Sequence, residues 1–171
     1  MATEVTIRAA TEDDRAAIRA VHESAFETTL EADIAQALHD AGDERISLVA
    51  VDDADVVGHV VLSAGLVEGT TVLCLGPIGV RAHRQRGGVG AALMQAAIAA
   101  AAATQAGLVV LLGHPSYYPR FGFEPADPLG LTNQWTPEAP WMALRLPRYD
   151  PGVRGFVRFP AAFDADLGRP D

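Results

Sequence analysis

Two short stretches of this chain hold residue types whose spacing suits chemistry. In the first, Gln85, Gly88 and Gly90 form the pattern Q-x-x-G-x-G just ahead of a long alanine-rich run. Glycine has no side chain to hold an anion away from backbone N–H groups, and a helix N-terminus leaves several of those groups unpaired. With Arg81 and Arg84 nearby, the run Gln85, Arg86, Gly87, Gly88, Val89, Gly90 and Ala91 reads as a cradle for a phosphate-bearing ligand. The two familiar nucleotide loops do not fit. There is no G-x-x-x-x-G-K-[ST], and Leu93 stands where G-x-G-x-x-G needs its third glycine. No acidic residue between Gln95 and Gly113 is available to hold a ribose.

The second stretch is H-P-S-Y-Y-P-R-F-G-F-E-P-A, His114 to Ala126. A phenol with pKa near ~10 stays protonated at neutral pH and can protonate a leaving group, while a histidine can accept a proton there. Of the two phenols, Tyr117 and Tyr118, one can serve as acid while the other packs with its hydroxyl on a backbone carbonyl, and His114 is a candidate base or a capping residue of the loop. Glu27 and Glu31, on the helical segments nearer the N-terminus, are alternative bases or plain surface charges. His59 and Cys74 lie within strand-like runs and read as packed. His22, His39 and His83 join no cluster of ligands, so no metal site is assigned.

These residues must be carried by elements that the pattern of the chain also predicts. Val5–Arg8 reads as a strand. Thr11 with Asp14 caps a helix on which Ile18, Val21 and Ala25 recur, and Leu30, Ile34, Leu38 and Ala41 form a second apolar stripe ending at Gly42. Ile46–Val51 and Val56–Ser63 flank the acidic turn Asp52–Asp55 as a hairpin, and Thr70–Val80 follows as the next strand. Pro77, between Gly76 and Gly79, cannot donate a ladder hydrogen bond, so a bulge is expected there. A helix runs from about Gly88 to Gln105, with Gly107 at its exit. Leu108–Leu112 is wholly apolar, as for a buried strand parallel to its predecessor. Trp141–Leu146 reads as the last strand. The tail 147–171 holds Phe156, Phe159 and Phe163, which predicts that it packs back on a single domain spanning 1–171. The fold class is α/β: a mixed, mostly antiparallel sheet with one parallel, splayed central strand pair, flanked by helices.

A formal charge of −9, from 22 acidic and 13 basic residues, argues against nucleic acid or an anionic membrane as the main partner. One cysteine excludes an internal disulfide and suits the cytoplasm. The charged N-terminus is not a signal peptide, and the longest apolar run, Ala96–Ala103, is too short to span a bilayer.

The order of elements, the Q-x-x-G-x-G loop, the tyrosine four residues before Gly122-Phe123, LGPIGV upstream and the terminal RGFVRFPAAF together resemble the GNAT superfamily of N-acetyltransferases, in particular its bacterial YhbS-like branch. The resemblance covers most of the chain and implies acetyl-CoA as cosubstrate, with a small-molecule or peptide amine as acceptor. A homodimer is one arrangement open to it. It places the pyrophosphate on Gln85–Ala91 and the pantetheine arm along the backbone of Ile78, Gly79 and Val80. It gives Tyr118 the role of general acid toward the departing thiolate. The order Arg86-Gly87 inverts the glycine and basic residue common in the family. The fourth strand lacks the glutamate that many members use as base. Deprotonating a lysine-like amine at neutral pH costs about 4.6 kcal/mol, against roughly 1.4 kcal/mol for an α-amine. A site without a strong base is thus matched to α-amines. A non-catalytic acyl-CoA sensor of the same fold is the alternative; it would keep the loop and need no Tyr118. Cys74 as an acyl-carrying nucleophile has nothing nearby in sequence to lower its pKa.

Overall fold

The structure is a computed structural model that describes residues 4–135 and 140–166. Strand β1 (Thr6–Ala9) leads through a 3-10 turn (Glu12–Asp14) into helices α1 (Arg15–Ala25) and α2 (Leu30–Asp40). The Asp14 carboxylate starts α1. It accepts the Thr11 N–H at 2.7 Å and both terminal nitrogens of Arg8 at 2.7 and 2.9 Å, which holds it well below the usual carboxylate range.

Strands β2 (Glu44–Asp52), β3 (Asp55–Val67) and β4 (Thr70–Val80) then form an antiparallel meander. β3 runs four residues beyond the expected Ser63, because Glu68 and Gly69 take positive φ (47° and 81°) and close a two-residue turn onto β4. Helix α3 (Val89–Ala102) crosses over to β5 (Leu108–Leu112), which runs parallel to β4 as expected. The helix stops short of Gln105. The Thr104 hydroxyl donates to the Ala101 carbonyl at 2.7 Å and accepts from Ala106 N–H, diverting the chain. Gly107 is not a left-handed cap: a Cβ there would sit 2.9 Å from the Arg148 carbonyl oxygen, so glycine serves a close passage of the C-terminal chain.

Short strands β6 (Glu124–Pro125) and β7 (Leu131–Thr132) precede β8 (Trp141–Arg145). β8 is not the last strand. β9 (Gly155–Arg158) follows and pairs with both β3 and β7. Four residues with glycine at one end give too little alternation to read as a strand without the partners they meet. The main order is β1-β2-β3-β4-β5-β8-β6, mixed through the parallel β4–β5 pair. One face packs on α3 through Val89, Leu93, Met94 and Ala97; the other packs on α2 and the C-terminal stretch through Ile34, Leu38, Phe159 and Phe163. Two of the three tail phenylalanines, Phe159 and Phe163, pack there. Phe156 does not, and stays 43% exposed. The last five residues of the tail, 167–171, lie outside the described residues.

Candidate functional site

The site begins where β4 breaks. Val60 pairs with Ile78 and Leu62 with Leu75, so Val61 faces two residues, Gly76 and Pro77. That is the expected bulge, and the Gly76–Pro77 peptide is cis. On its other edge β4 pairs with β5 only at Leu73↔Val109 and Cys74↔Val110. Beyond these two rungs β5 continues to Leu112 against Trp141 of β8, while β4 turns away. Among the described residues, the main chain of Ile78, Gly79 and Val80 therefore faces no strand on the β5 side. Unpaired backbone groups in such a gap need an outside partner, water or ligand.

At the end of β4 the chain enters the glycine loop, which is braced on three sides. Arg81 N–H donates to the Val57 carbonyl and its Nε to the Val56 carbonyl, both at 2.8 Å. Gln85 Nε2 donates back to the Val80 carbonyl at 3.0 Å, and Arg84 forms an ion pair with Asp52 at the β2–β3 turn. Arg81 and Arg84 are thus structural ties of the loop. Arg86 is exposed with a left-handed φ of 67°, and Gly88 follows at 86° as the residue before α3. Ala92 N–H makes the first helical bond, to the Gly88 carbonyl at 3.0 Å. The amides of Val89, Gly90 and Ala91 have no partner within the helix. A Cβ on Gly88 would meet nothing within 4 Å, and one on Gly90 only the Tyr117 hydroxyl at 3.6 Å and Val80 Cγ2 at 3.8 Å. The space above the loop is open and lined by donors, which is the fit an anion requires.

Past β5, Gly113 admits the Tyr118 ring so closely that a Cβ there would overlap it. Tyr118 stacks edge-on against Tyr117 (5.1 Å) and Phe123 (5.8 Å), and packs on the same core as Ile78 and Val80. Burial, with a smaller effect from Tyr117, raises its pKa, so the phenol keeps its proton at neutral pH. Among the described residues the Tyr117 hydroxyl meets no backbone carbonyl, as a merely packed ring would; it lies over Gly90 at the glycine loop, while Arg120 covers its ring at 4.5 Å.

His114 is exposed at the end of β5, and its carbonyl accepts the N–H groups of Tyr117 (3.0 Å) and Tyr118 (3.4 Å). Glu27 is exposed, whereas Glu31, in the first turn of α2, is half-buried at a cavity beside the β4 bulge. Cys74 is fully buried and burial pushes its thiol up, so it is no nucleophile. The sequence missed a buried chain: Ser47 Oγ lies 2.8 Å from His59 Nε2, and His59 Nδ1 lies 2.8 Å from His22 Nε2. Its trace was there, because residue 22 falls on the apolar stripe of Ile18, Val21 and Ala25. Among the described residues no three His, Cys, Asp or Glu side chains converge. No described helix is long and apolar enough to cross a membrane.

Comparison with known proteins agrees with this geometry. The family model described as an acetyltransferase (GNAT) domain matches residues 6–126. The chain is 33% identical over 118 residues to the uncharacterized N-acetyltransferase YjhQ of Escherichia coli K12, a match covering 66% of this chain and 65% of that protein, just under two thirds of its length. The crystal structure of the GNAT family N-acetyltransferase YhbS from Escherichia coli in complex with CoA superposes with a TM-score of 0.89 at 29% identity, covering 96% of this chain and 94% of that one. A GNAT family acetyltransferase from Brucella melitensis in complex with acetyl-CoA superposes with a TM-score of 0.80 at 32% identity, covering 95% and 99%.

Proposed function

Since the chain belongs to the GNAT acetyltransferase family, we propose that it transfers an acetyl group from acetyl-CoA to a primary amine by direct attack in a ternary complex. The observation that carries this reading is the parting of β4 from β5 after two rungs, directly ahead of a donor-lined loop. The CoA-bound and acetyl-CoA-bound relatives of the same fold support it.

The residues fit the cosubstrate. Val89, Gly90 and Ala91 amides, with Gln85, Arg86, Gly87 and Gly88 shaping the loop, hold the pyrophosphate; Ile78, Gly79 and Val80 offer backbone groups to the pantetheine arm. When bound, the cosubstrate supplies an activated acyl group whose sulfur leaves as a thiolate. Backbone donors near Ile78 orient and polarise the thioester carbonyl. Tyr118 gives its proton to the departing sulfur, and burial keeps that proton available until then. His114 takes the proton that the amine loses. The bond formed is C–N and the bond broken C–S, and one proton passes from nitrogen to sulfur by way of these two side chains and solvent. The protein would act in the cytoplasm as one domain, its Cys74 thiol buried and reduced.

The test is mass spectrometry of an amine and peptide panel incubated with acetyl-CoA, alongside calorimetric titration with CoA. A gain of one acetyl group on an amine, abolished by heat denaturation, upholds the reading. CoA binding with no product on any amine would point to a sensor instead.

A further inference from the structure

One cavity of about 210 Å³ opens at the break in β4. Pro77 and Leu112 of the two parting strands meet there with Glu31 of α2 and with Trp135, Phe159 and Phe163 of the C-terminal stretch. The aromatic walls are tightly set: Phe159 lies 4.7 Å from the Trp135 ring and 5.2 Å from Phe163. Two polar features interrupt them. Glu31 is the charged residue of the lining among the described residues. Trp135 Nε1–H is shut off from solvent and has no hydrogen-bond partner among the described residues. A buried donor left unmade costs roughly 1–3 kcal/mol, so a site that keeps one is suited to a ligand that accepts from it.

We infer that this cavity holds the acceptor, and that the acceptor is an α-amino compound with an apolar side chain, such as an N-terminal residue or an amino-acid amide. This rests on the proposed acyl transfer, which places the reacting carbonyl beside Ile78 in the same gap. The ammonium is drawn to Glu31, a carbonyl oxygen accepts from Trp135 Nε1, and the side chain lies among Phe159 and Phe163. The volume is below the roughly 300 Å³ at which drug-sized ligand sites begin, which suits one residue rather than a folded surface. An α-ammonium, with a reference pKa about two units below that of lysine, also yields its proton more readily to a weak base. The net charge of −9 favours a cationic substrate as well.

The experiment compares phenylalaninamide, serinamide and Nα-acetyl-lysinamide as acceptors for the full chain. It measures kcat and KM by product mass, and acceptor binding to the protein–CoA complex by calorimetry. Phenylalaninamide is expected to exceed the other two in kcat/KM by on the order of tenfold or more. Glu31→Gln should raise its KM by about tenfold with kcat held within a few-fold, and Trp135→Phe should raise KM by a smaller factor. CoA affinity, read in the same titrations, should be unchanged in both variants. Equal use of serinamide, an unmoved KM in Glu31→Gln, or a collapse of kcat at constant KM would overturn the cavity assignment and leave the transferase reading standing. Phenylalaninamide binding that depends on Glu31 without any acetylated product would uphold the cavity and sink the transferase reading.

Discussion

His22 Nε2 and His59 Nδ1 lie 2.8 Å apart with both imidazoles fully buried, and the chain continues to Ser47. One ring nitrogen must donate and the other accept, so the two rings cannot both be protonated, and burial favours the pair with both neutral. Burial lowers the pKa of His22 to about 4, and burial, His22 and Arg15 lower that of His59, with Asp14 opposing weakly.

The first prediction concerns acid stability. A histidine whose folded pKa is below its unfolded value of 6.5 binds more protons when unfolded, so its stabilisation is present above 6.5 and lost as pH falls toward 4. The His22 shift alone amounts to on the order of 3 kcal/mol across that window. His39, raised chiefly by its hydrogen bond to Glu44, works the other way: its stabilisation is full below 6.5 and lost as pH rises, so it offsets part of the loss. Urea denaturation of a His39→Gln background at pH 7 and pH 5 should show the loss free of that offset. Equal midpoints at the two values would contradict a neutral buried pair.

A second prediction follows from the position of Gly79. A Cβ there would lie 2.8 Å from His22 Nδ1 and 3.3 Å from Cε1, on a ring held by His59. Gly79→Ala should cost about 1–3 kcal/mol, the usual range for overpacking a core. Thermal unfolding measures it, and a variant as stable as wild type would mean that α1 moves freely from β4.

The glycine loop is open where Gly90 faces Tyr117, so Gly90→Val should fold. Its branched side chain would stand where the anion is proposed to sit and weaken CoA binding by on the order of a hundredfold, as expected from loss of several charge-assisted hydrogen bonds. Calorimetry on the folded variant decides the matter; unchanged affinity would remove the loop from the binding site.

The two tyrosines should separate by kinetics. Tyr118→Phe leaves the ring packed on Gly113 and Phe123 and removes only the proton donor, so kcat should fall by about a hundredfold or more with CoA affinity intact. Tyr117→Phe should instead raise the KM for acetyl-CoA modestly and spare kcat, because its hydroxyl lies over Gly90 rather than at the acyl end. Wild-type turnover in Tyr118→Phe, with chemistry rate-limiting, would assign the proton to water.

Features set by local chemistry were legible in the chain. Pro77 between glycines announced the bulge, Gly88 with Gly90 announced the loop, and Thr11 with Asp14 announced the start of α1. Long-range features were not. β9 exists because β3 overruns Ser63 and offers it an edge, Gly107 is required by a chain 41 residues later, and the cavity beside the bulge joins Glu31 to Phe163 across the fold. His22 looked isolated because its partner stands 37 residues away on another element.

The two-rung junction at Leu73–Cys74 leaves a pair of bare strand edges inside the protein rather than at its rim. Proteins commonly disarm outer edges with charge, bulges or cover, because a bare edge recruits foreign strands. Here the bareness is confined to a slot between two central strands, with α3 on one face and α2 on the other. An extended ligand that fits the slot completes the sheet, so occupancy should stitch the β1–β4 half to the β5–β8 half. It would then slow amide exchange along β4 and β5 well beyond the residues it touches.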